Sequence, residues 1–408
     1  MRALILAAGE GTRLKPITDN LPKPLITVGG KPLLTHTLEA LRQVGVDRVS
    51  IVVGFQGERI RKHYQRGEPL GLDIDYIEQK ERKGTAHAIG TAEGRFQEPF
   101  FCMAGDVMVS PSDLHAMLDL QKEKGGTVMA AVAVDNPSSY GVLRVQEGRM
   151  LEIVEKPRAP AGNLINASIY LMDPAVFRHI QATNRSPRGE YEITDSLTMM
   201  AAQEGVWVHQ LHGDWMDIGS PWDLLEANRM IMDKMTGSIQ GQVEEGCHLH
   251  GPVVVEEGAR IRSGSYIEGP VYISSGCDVG PNCYIRAHTC LGPDCRVGNA
   301  CEVKNTLVSA GSKIPHQSYV GDSIIGRDCN LGAGTKVANL RFDHRSIRVN
   351  LKDKEVDTGR RKLGVIMGDD VNTGINCVIL PGTVIHHGAS IGPGAKAQGV
   401  IGPNSFIR

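Results

Sequence analysis

The sequence predicts an α/β domain with a doubly wound parallel sheet, followed by a left-handed parallel β-helix built from hexapeptide repeats. Two observations predict this fold class. Apolar runs alternate with amphipathic helices up to about residue 228, whereas from about residue 237 a spacing of six residues between aliphatic side chains replaces the helical period. A chain of 408 residues is also too long for one ordinary hydrophobic core. We expect the domains to span residues 1–236 and 237–408.

The first domain begins with a short apolar strand and continues as alternating strands and helices. Buried parallel strands are predicted at 3–9, 48–54 and 99–106. Amphipathic helices are predicted at 33–44 and 113–124, and a helix over about 221–236 closes the domain. Ligands of such sheets bind beyond the carboxyl ends of the strands, so we expect a binding site there.

The second domain shows the six-residue period in three stretches. The longest stretch contains Val255, Ile261, Ile267, Ile273, Val279, Ile285, Leu291, Val297 and Val303. The period resumes at Tyr319, Ile325, Leu331 and Val337, and again at Ile379, Ile385 and Ile391. Such spacing is typical of a parallel β-helix, in which each coil stacks on the one before it. The interruptions at 308–317 and 340–364 are expected to leave the coil as loops, where functional sites are common.

The repeat also explains most of the nine cysteines. Small residues follow an aliphatic position by four residues at Ala259, Ser265, Cys277, Cys283, Thr289, Cys295 and Cys301. A ladder of small side chains inside the coil explains them better than a metal site, because no CxxC pair is present. Without an export signal we expect free thiols rather than disulfides.

The charge and the apolar runs exclude several classes of partner. A formal net charge of −2 does not indicate binding to nucleic acid or to a membrane surface. No apolar run approaches the roughly 18 residues needed to span a bilayer. The apolar run after Arg2 is too short for a signal peptide. We therefore expect a cytoplasmic protein.

A glycine turn with two cations follows the first strand. Ala8, Gly9 and Gly11 allow backbone amides to approach a polyphosphate closely, and Arg13 and Lys23 supply positive charge beside the turn. The turn is neither a dinucleotide fingerprint nor a P-loop, since position 14 is Leu and no GK[ST] follows. Cations here suit a transition state that gathers negative charge on phosphate oxygens. The alternative is a pair of solvated cations on an ordinary βα turn.

Taken whole, residues 6–34 resemble the signature of the sugar-1-phosphate nucleotidyltransferases, whose catalytic domain is Rossmann-like, and further motifs follow in that family's order. The resemblance implies nucleotide recognition by Gln79, Gly84 and Thr85, and sugar binding by Gly141, Glu155 and Asn166. It implies that Asp106 and Asp217 bind a metal ion. One departure is Ser168, where relatives often carry Gly.

The same resemblance implies a Mg²⁺-dependent reaction between an NTP and a sugar-1-phosphate. The sugar phosphate attacks the α-phosphorus in line, and pyrophosphate leaves. Asp106 and Asp217 would hold Mg²⁺ against the phosphates, while Arg13 and Lys23 would stabilise the departing charge. Positioning and electrostatics suffice for such a transfer.

The second candidate site surrounds His316. Acetyl transfer to an amine needs a base, for which histidine is suited, although a surface histidine is the alternative. The stretch PHQSYVGD resembles a motif of the bifunctional N-acetylglucosamine-1-phosphate uridylyltransferase/glucosamine-1-phosphate N-acetyltransferases, which use acetyl-CoA as co-substrate. The resemblance implies that His316 is the base. It also implies that Tyr319 and Asn339 contact the substrate and that Arg286 and Lys304 hold its phosphate.

The chain departs from that family around the acetyl-CoA contacts. The segment 340–364 is longer, so either Lys362 or Arg345 replaces the family's loop lysine, and TGI at 373–375 replaces a VGS segment. Action on other amino sugars is therefore an alternative. In this family the coils assemble as homotrimers with acyl-CoA sites between subunits, which the resemblance implies here as well.

Three functions remain to be compared. The first is a bifunctional enzyme that acetylates glucosamine-1-phosphate and transfers a uridylyl group from UTP to N-acetylglucosamine-1-phosphate. The second is a monofunctional glucose-1-phosphate thymidylyl- or uridylyltransferase with a structural or regulatory β-helix, and the third is a non-catalytic regulatory subunit. The residues around His316 favour the first, because a structural solenoid does not need them. The paired acids and cations of the first domain argue against the third.

Overall fold

The computed structural model describes residues 1–352 and 354–408, which divide into two units. The first unit consists of Met1–Glu10, Pro22–Leu25 and Leu33–Asp217, and the second consists of Gly11–Leu21, Ile26–Pro32 and Ile218–Arg408. Two short segments near the N-terminus therefore group with the C-terminal part of the chain. The domain limits at residues 236 and 237 stay a prediction.

A nine-stranded sheet forms the centre of the first unit. Its strands, in spatial order, are Asp73–Glu78, Arg48–Val53, Arg2–Ala7, Phe100–Ala104, Leu164–Met172, Thr127–Ala133, Val206–Gln210, Arg149–Glu155 and Gly141–Gln146. The central strand Arg2–Ala7 is parallel to both neighbours. Its alternate residues enter two separate cores, with Ala3 and Ile5 in one and Leu4 in the other. The sheet is therefore buried on both faces, as predicted for a doubly wound domain.

The second half of this sheet departs from the parallel arrangement that the sequence predicts. Leu164–Met172 runs antiparallel to both Phe100–Ala104 and Thr127–Ala133, and Arg149–Glu155 runs antiparallel to Gly141–Gln146. Antiparallel neighbours need no crossover helix, so the strand–helix alternation disappears from this part of the sequence.

The described α-helices are Leu33–Gln43, Gly57–Tyr64, Thr85–Gly90, Pro111–Lys124, Val176–Ala182, Ile193–Gln203 and Asp223–Met232. The described 3₁₀ turns are Thr12–Leu14, Lys23–Leu25, Glu68–Leu70 and Pro137–Ser139. The helices predicted near residues 33, 113 and 221 are all present. Over 1–352 and 354–408, no helix is long and apolar enough to cross a membrane.

A left-handed parallel β-helix makes up most of the second unit, and its coils form three sheets. The first sheet contains Ser238–Ile239, Val253–Val255, Val271–Ile273, Thr289–Leu291, Leu307–Val308, Ile324–Ile325, Val365–Met367, Thr383–Ile385 and Val400–Ile401. The second contains Gln242–Val243, Arg260–Ile261, Asp278–Val279, Arg296–Asn299, Lys313–His316, Asn330–Leu331, Asn372–Thr373, Ser390–Ile391 and Phe406–Ile407. The third contains His248–His250, Tyr266–Glu268, Tyr284–Ile285, Glu302–Lys304, Tyr319–Gly321, Lys336–Val337, Val378–Ile379 and Lys396–Ala397.

The residues of the six-residue period lie inside the coils. From Val255 to Val303, every residue at this spacing is fully buried. The ladder of small residues is confirmed as well, because Cys277, Cys283 and their equivalents belong to the same core, and all nine cysteines are free thiols. Burial raises the pKa of the Cys283 thiol to about 12, which keeps it protonated and unreactive.

The loop predicted at 308–317 is wrong, because the coil continues through this segment. Leu307–Val308 and Lys313–His316 are strands in register with the coils on either side. The buried Val308 follows Val303 by five residues, one fewer than the repeat. The coil is therefore shorter at this point but stays closed. The period then passes through Val320, which is fully buried, and not through Tyr319.

The segment 340–364 leaves the coil as predicted. It contains an antiparallel hairpin of Arg348–Leu351 with Lys354–Asp357, and Leu340 bridges Lys362 at its base. The coils before and after it pair directly, which shows that the hairpin is inserted without disturbing the stack. A further two-stranded hairpin joins Thr27–Val28 to Lys31–Pro32.

Replacing Ile325 by alanine should lower the free energy of unfolding by about 2–5 kcal/mol, because the side chain is fully buried and its removal leaves a cavity. Ile239→Ala in the same sheet is the matched control, since Ile239 is 51% exposed. Urea unfolding followed by circular dichroism measures both variants. Equal losses would contradict the core position of Ile325.

Candidate functional site

Two aspartates have neighbouring backbone positions at the carboxyl end of the strand Phe100–Ala104 in the first unit. Asp106 follows Phe100–Ala104 and directly precedes Val107, which pairs with Asp217 in an antiparallel ladder. Facing residues of such a ladder have Cα atoms about 5 Å apart. The two carboxylates therefore start from neighbouring backbone positions, although they are far apart in sequence.

Lys23 lies against Asp106. Its Nζ donates a hydrogen bond to Oδ2 of Asp106, and the residue is 8% exposed. Pro22 and Pro24 flank the lysine at the start of the turn Lys23–Leu25, and their fixed φ angles restrict the backbone that carries it. The structure thus joins an acid and a cation that the sequence analysis had assigned to the same reaction.

Arg13 belongs to the second unit, in a turn that begins at Gly11. Gly11 has a φ of 66°, in the left-handed region that favours glycine, and the 3₁₀ turn Thr12–Leu14 follows it. The hydroxyl of Thr18 donates a hydrogen bond of 2.9 Å to the carbonyl of Gly11. A guanidinium nitrogen of Arg13 lies 3.7 Å from the point where a Cβ of Gly219 would stand.

Ala8 and Gly9 directly follow the first strand, Arg2–Ala7. Ala8 is buried and packs so closely against Gly54 that a Cβ on that glycine would lie 3.0 Å from the alanine Cβ. Apart from its chain neighbours, no heavy atom described here lies within 4 Å of a Cβ position on Gly9. The backbone of Gly9 is therefore open to a ligand on that side.

Gln79 contacts Gly84, and both Gly84 and Thr85 pack against the segment 189–195. The side-chain nitrogen of Gln79 lies 3.5 Å from the carbonyl of Gly84, and the hydroxyl of Thr85 accepts a 3.0 Å hydrogen bond from the N–H of Ile193. Gly84 has a φ of 110°, and a Cβ there would collide with the backbone of 189–195. Only glycine fits this close approach.

Asn166 lies at an irregularity of the strand Leu164–Met172. Its amide donates a 2.7 Å hydrogen bond to the hydroxyl of Tyr170, and its oxygen accepts one of 3.0 Å from the N–H of Ser168. Ser168 has a φ of 59°, which costs a non-glycine residue roughly 1 kcal/mol. The departure from glycine at this position therefore adds backbone strain next to Asn166.

Glu155 lies partly buried beside Gly141, where a Cβ would stand 3.1 Å from a carboxylate oxygen. Burial raises the pKa of the Glu155 carboxyl, and the charges of Lys156 and Arg188 offset only part of this rise. Arg188 lies 3.7 Å from Glu155 and also forms an ion pair with Glu192. Glycine at position 141 leaves the carboxylate accessible.

The aspartate pair suits a magnesium ion that the substrate also ligates. Mg²⁺ in such sites takes one or two carboxylates and completes its octahedron with phosphate oxygens and water. In the part of the chain that the structure describes, no group of three or more His, Cys, Asp or Glu forms a cage for a metal ion. The donor set at Asp106 and Asp217 therefore fits a shared ion.

Arg286 and Lys304 stack on consecutive coils of the β-helix. The N–H of Arg286 donates to the carbonyl that precedes Lys304, so about 4.8 Å separates the two backbone positions. Arg286 lies 2.9 Å from Glu302, and Lys304 lies 3.3 Å from both oxygens of Asp322. Each cation is therefore oriented by a carboxylate.

Tyr319 and Asn339 extend this group on the following coils. The amide of Asn339 donates to the hydroxyl of Tyr319 at 3.1 Å and also to Asp322. Asp322 is 3% exposed and accepts a further 2.8 Å hydrogen bond from Asn305. Sequence analysis assigned no role to Asn305 or to Asp322, the last residue of the motif PHQSYVGD. Their shared position with Asn339 on successive coils is a signal that could have found them.

His316 lies on the strand next to that of Tyr319. It ends Lys313–His316, its ring is exposed, and its backbone pairs with Asn299 of the preceding coil. Both candidates for the family's loop lysine, Arg345 and Lys362, are also exposed. The roles of these three residues stay predictions.

A pocket in the second unit joins the two stacked cations to further residues. It is lined by Arg229, Glu268, Arg286, Ala287, His288, Lys304 and Asn305. Arg229 comes from the helix Asp223–Met232, and the neighbouring Asn228 donates a 2.8 Å hydrogen bond to the carbonyl of His288. No repeat or motif marks Arg229, because its helix lies outside the hexapeptide period.

Fold and site together define the class: an α/β nucleotidyltransferase joined to a hexapeptide β-helix that carries a pair of stacked cations. The model of the nucleotidyl transferase family matches residues 2–234, and that of the GMPPB C-terminal domain matches residues 267–387. Among solved structures, a UDP-glucose pyrophosphorylase complexed with UDP-glucose has a TM-score of 0.51 at 28% identity, over 56% of this chain and 96% of that one.

Curated relatives match over the whole chain. Bifunctional protein GlmU of Methanocaldococcus jannaschii is 41% identical, covering 100% of this chain and 97% of its own. A bifunctional sugar-1-phosphate nucleotidylyltransferase/acetyltransferase of Sulfurisphaera tokodaii is 41% identical over 100% of both chains. Mannose-1-phosphate guanylyltransferase 1 of Arabidopsis thaliana is 37% identical over 64% of this chain and 73% of its own. The chain belongs to the family of bifunctional sugar-1-phosphate nucleotidyltransferase/acetyltransferases and is an enzyme of this kind.

The raised pKa of Glu155 predicts a pH-dependent loss of stability. A carboxyl whose pKa is higher in the folded than in the unfolded chain holds its proton more tightly when folded, so stability falls as pH rises through the folded pKa. Glu155→Gln cannot ionise. Its stability relative to the unmodified chain should therefore increase over a pH range that starts near the ordinary glutamate pKa of about 4.3 and rises from there. Thermal unfolding across this range measures the difference.

The control is Glu152→Gln on the same strand, because the Glu152 side chain is 43% exposed. A similar pH dependence in both variants would contradict burial as the cause of the shift at Glu155.

Proposed function

We propose that this chain acetylates glucosamine-1-phosphate with acetyl-CoA and then transfers a uridylyl group from UTP to N-acetylglucosamine-1-phosphate, releasing pyrophosphate. The nucleotidyl transfer rests on one observation: the ladder that sets Asp106 beside Asp217, with Lys23 bonded to Asp106. The acetyl transfer rests on the connected group around Asp322. The order of the two steps follows from the acetylated product of one being the acceptor of the other.

In the proposed nucleotidyl transfer, a phosphate oxygen of the sugar-1-phosphate bonds to the α-phosphorus of UTP, and the bond to the pyrophosphate oxygen breaks. Asp106 and Asp217 would hold Mg²⁺, which when bound would neutralise charge on the phosphate oxygens. Lys23 and Arg13 stabilise the charge that develops on the leaving pyrophosphate. No covalent enzyme intermediate is required.

Two neighbouring groups would then select the substrates. Gln79, Gly84 and Thr85 present amide, backbone and hydroxyl groups at one strand end, where a base can be recognised by hydrogen bonds. Glu155 and Asn166 offer a carboxylate and an amide suited to sugar hydroxyls.

In the proposed acetyl transfer, the amino nitrogen of the sugar bonds to the thioester carbon of acetyl-CoA, and the carbon–sulfur bond breaks. His316 takes the proton that the nitrogen loses, and the CoA sulfur leaves as a thiolate that is then protonated. Arg286 and Lys304 hold the sugar phosphate, while Tyr319 and Asn339 orient the sugar. Lys362 contacts acetyl-CoA, at a site completed by a second subunit of a homotrimer.

The pairing of the two reactions is supported by the name of the Sulfurisphaera tokodaii relative, which describes sugar-1-phosphate nucleotidylyl transfer and acetyl transfer and matches over the full chain. Mannose-1-phosphate guanylyltransferase is also among the relatives, over 64% of this chain. The choice of base and sugar therefore needs a direct test.

Supplying the purified protein with a panel of NTPs and sugar-1-phosphates, with and without acetyl-CoA, tests the substrates. We expect UTP with N-acetylglucosamine-1-phosphate to give the nucleotide sugar, identified by mass, about 10-fold faster than other pairs, because hydrogen-bonded sites discriminate by this much or more. Glucosamine-1-phosphate should yield the same product only when acetyl-CoA is present. Preference for GTP and mannose-1-phosphate would replace this proposal.

The variants Asp106→Asn and His316→Ala should separate the two activities. Asp106→Asn should lower pyrophosphate release at least about 100-fold, because it removes a charge from the metal pair, while CoA release continues. His316→Ala should lower CoA release about 100-fold, within the range for loss of a general base, while pyrophosphate release continues. Loss of both activities in either variant would contradict two separate sites.

A further inference from the structure

Asp19 lies at the centre of a cluster of basic side chains within the second unit. Oδ2 of Asp19 lies 3.2 Å from Nδ1 of His386 and 3.2 Å from Nδ1 of His387. Lys15 approaches the other carboxylate oxygen at 3.5 Å, and the Asp19 side chain is only 10% exposed. Two consecutive histidines of the β-helix thus meet one carboxylate, although nothing in the reactions above uses them.

Neighbouring coils of the β-helix hold the same segment, Gly11–Leu21. A guanidinium nitrogen of Arg327 lies 3.5 Å from the carbonyl of Asn20 and forms an ion pair with Asp369 at 2.6 Å. Gly368 lies against Pro16, where a Cβ on the glycine would stand 3.1 Å from the proline Cβ. The segment is therefore bound at several points.

These contacts come from three successive coils. The N–H of Gly368 donates to the carbonyl of Ile385, directly before His386, and Arg327 bonds to Asp369 on the next coil. The corner of a stacked β-helix is stiff, because each coil is hydrogen-bonded to the coils on both sides. The surface that holds Gly11–Leu21 is thus rigid.

The internal hydrogen bonds of the segment Gly11–Leu21 also fix the position of Arg13 relative to Asp19. Backbone hydrogen bonds join Leu14 to Gly11, Ile17 to Leu14 and Asp19 to Pro16. The hydroxyl of Thr18 closes the segment onto the carbonyl of Gly11. A chain folded back on itself in this way cannot move Asp19 without moving Arg13.

We propose that His386 and His387 are positioning residues for nucleotidyl transfer, which fix Arg13 through Asp19. The β-helix then contributes to nucleotidyl transfer as well as to acetyl transfer. Its last coils fix the position of Arg13, one of the two cations proposed to act on the phosphates. This inference rests on the proposed nucleotidyl transfer and adds residues that neither reaction contains.

The double variant His386→Ala/His387→Ala tests the inference in the full-length protein. We expect kcat for pyrophosphate release from UTP to fall about 10-fold, equivalent to about 1.4 kcal/mol of transition-state stabilisation. KM for UTP should change less than about threefold, since an interaction made in the transition state acts on kcat. CoA release should stay within about twofold. A 10-fold fall confined to pyrophosphate release would exclude general unfolding, since unfolding would lower both activities.

Asparagine at both positions should restore at least about half of the lost rate, because its amide nitrogen can stand where Nδ1 stands and donate to Asp19. The matched control is His248→Ala/His250→Ala, which removes two histidines from the first coils of the same β-helix. This control should leave both activities unchanged.

A double-mutant cycle with Arg13→Ala separates positioning from general destabilisation. If the histidines act through Arg13, adding their alanine substitutions to Arg13→Ala should lower kcat by less than about twofold more. An unchanged kcat in the histidine variant, equal loss of both activities, or full additivity with Arg13→Ala would each overturn the inference.

If the unmodified enzyme released no pyrophosphate with any NTP, the proposed nucleotidyl transfer would fail first and the inference with it.

Discussion

The first site depends on one short antiparallel ladder, between Val107–Val109 and Trp215–Asp217. Its strands are distant in sequence, so forming it must overcome the entropy of closing a long loop. Asp113, which is 3% exposed, contributes to this by accepting the N–H groups of His212 and Gly213 at 3.0 and 2.9 Å. Burial alone would raise the pKa of Asp113, but these hydrogen bonds outweigh it and lower the pKa. A buried, ionised carboxylate thus fixes the turn that delivers Asp217 to Asp106.

Most of the fold could be predicted from the spacing of aliphatic residues, because the residues at that spacing are the ones that the fold buries. The nine aliphatic residues up to Val303 all lie inside the coil. The prediction failed where a coil lost one residue, since counting by six from Ile325 back to Tyr319 landed one position away from the buried Val320. A spacing rule cannot distinguish a contracted coil from an ejected loop, because both interrupt the period. Only the pairing of Leu307–Val308 with its neighbours decides between them.

The candidate sites could be predicted as residue types in order, but their connections could not. Motif order assigned Lys23 and Asp106 to the same chemistry without indicating that they form a hydrogen bond. It included Asp322 only as the last residue of PHQSYVGD and gave no indication that its carboxylate accepts hydrogen bonds from Lys304 and Asn339. A buried acid inside a repeat resembles any polar turn residue. Contacts of this kind depend on which coils stack, and stacking is a property of the folded chain.

Three cations of the two proposed phosphate sites are already paired with a carboxylate. Lys23 faces Asp106, Arg286 faces Glu302 and Lys304 faces Asp322. A buried cation without a partner would cost several kcal/mol, so pairing makes these sites compatible with a stable fold. It also sets a condition for binding, because a ligand must compete with a carboxylate for the same cation. A phosphate dianion carries more negative charge and more acceptor oxygens than a carboxylate, whereas an unphosphorylated sugar has no negative charge to offer. The acidic partners therefore favour phosphorylated substrates while keeping the cations oriented before binding.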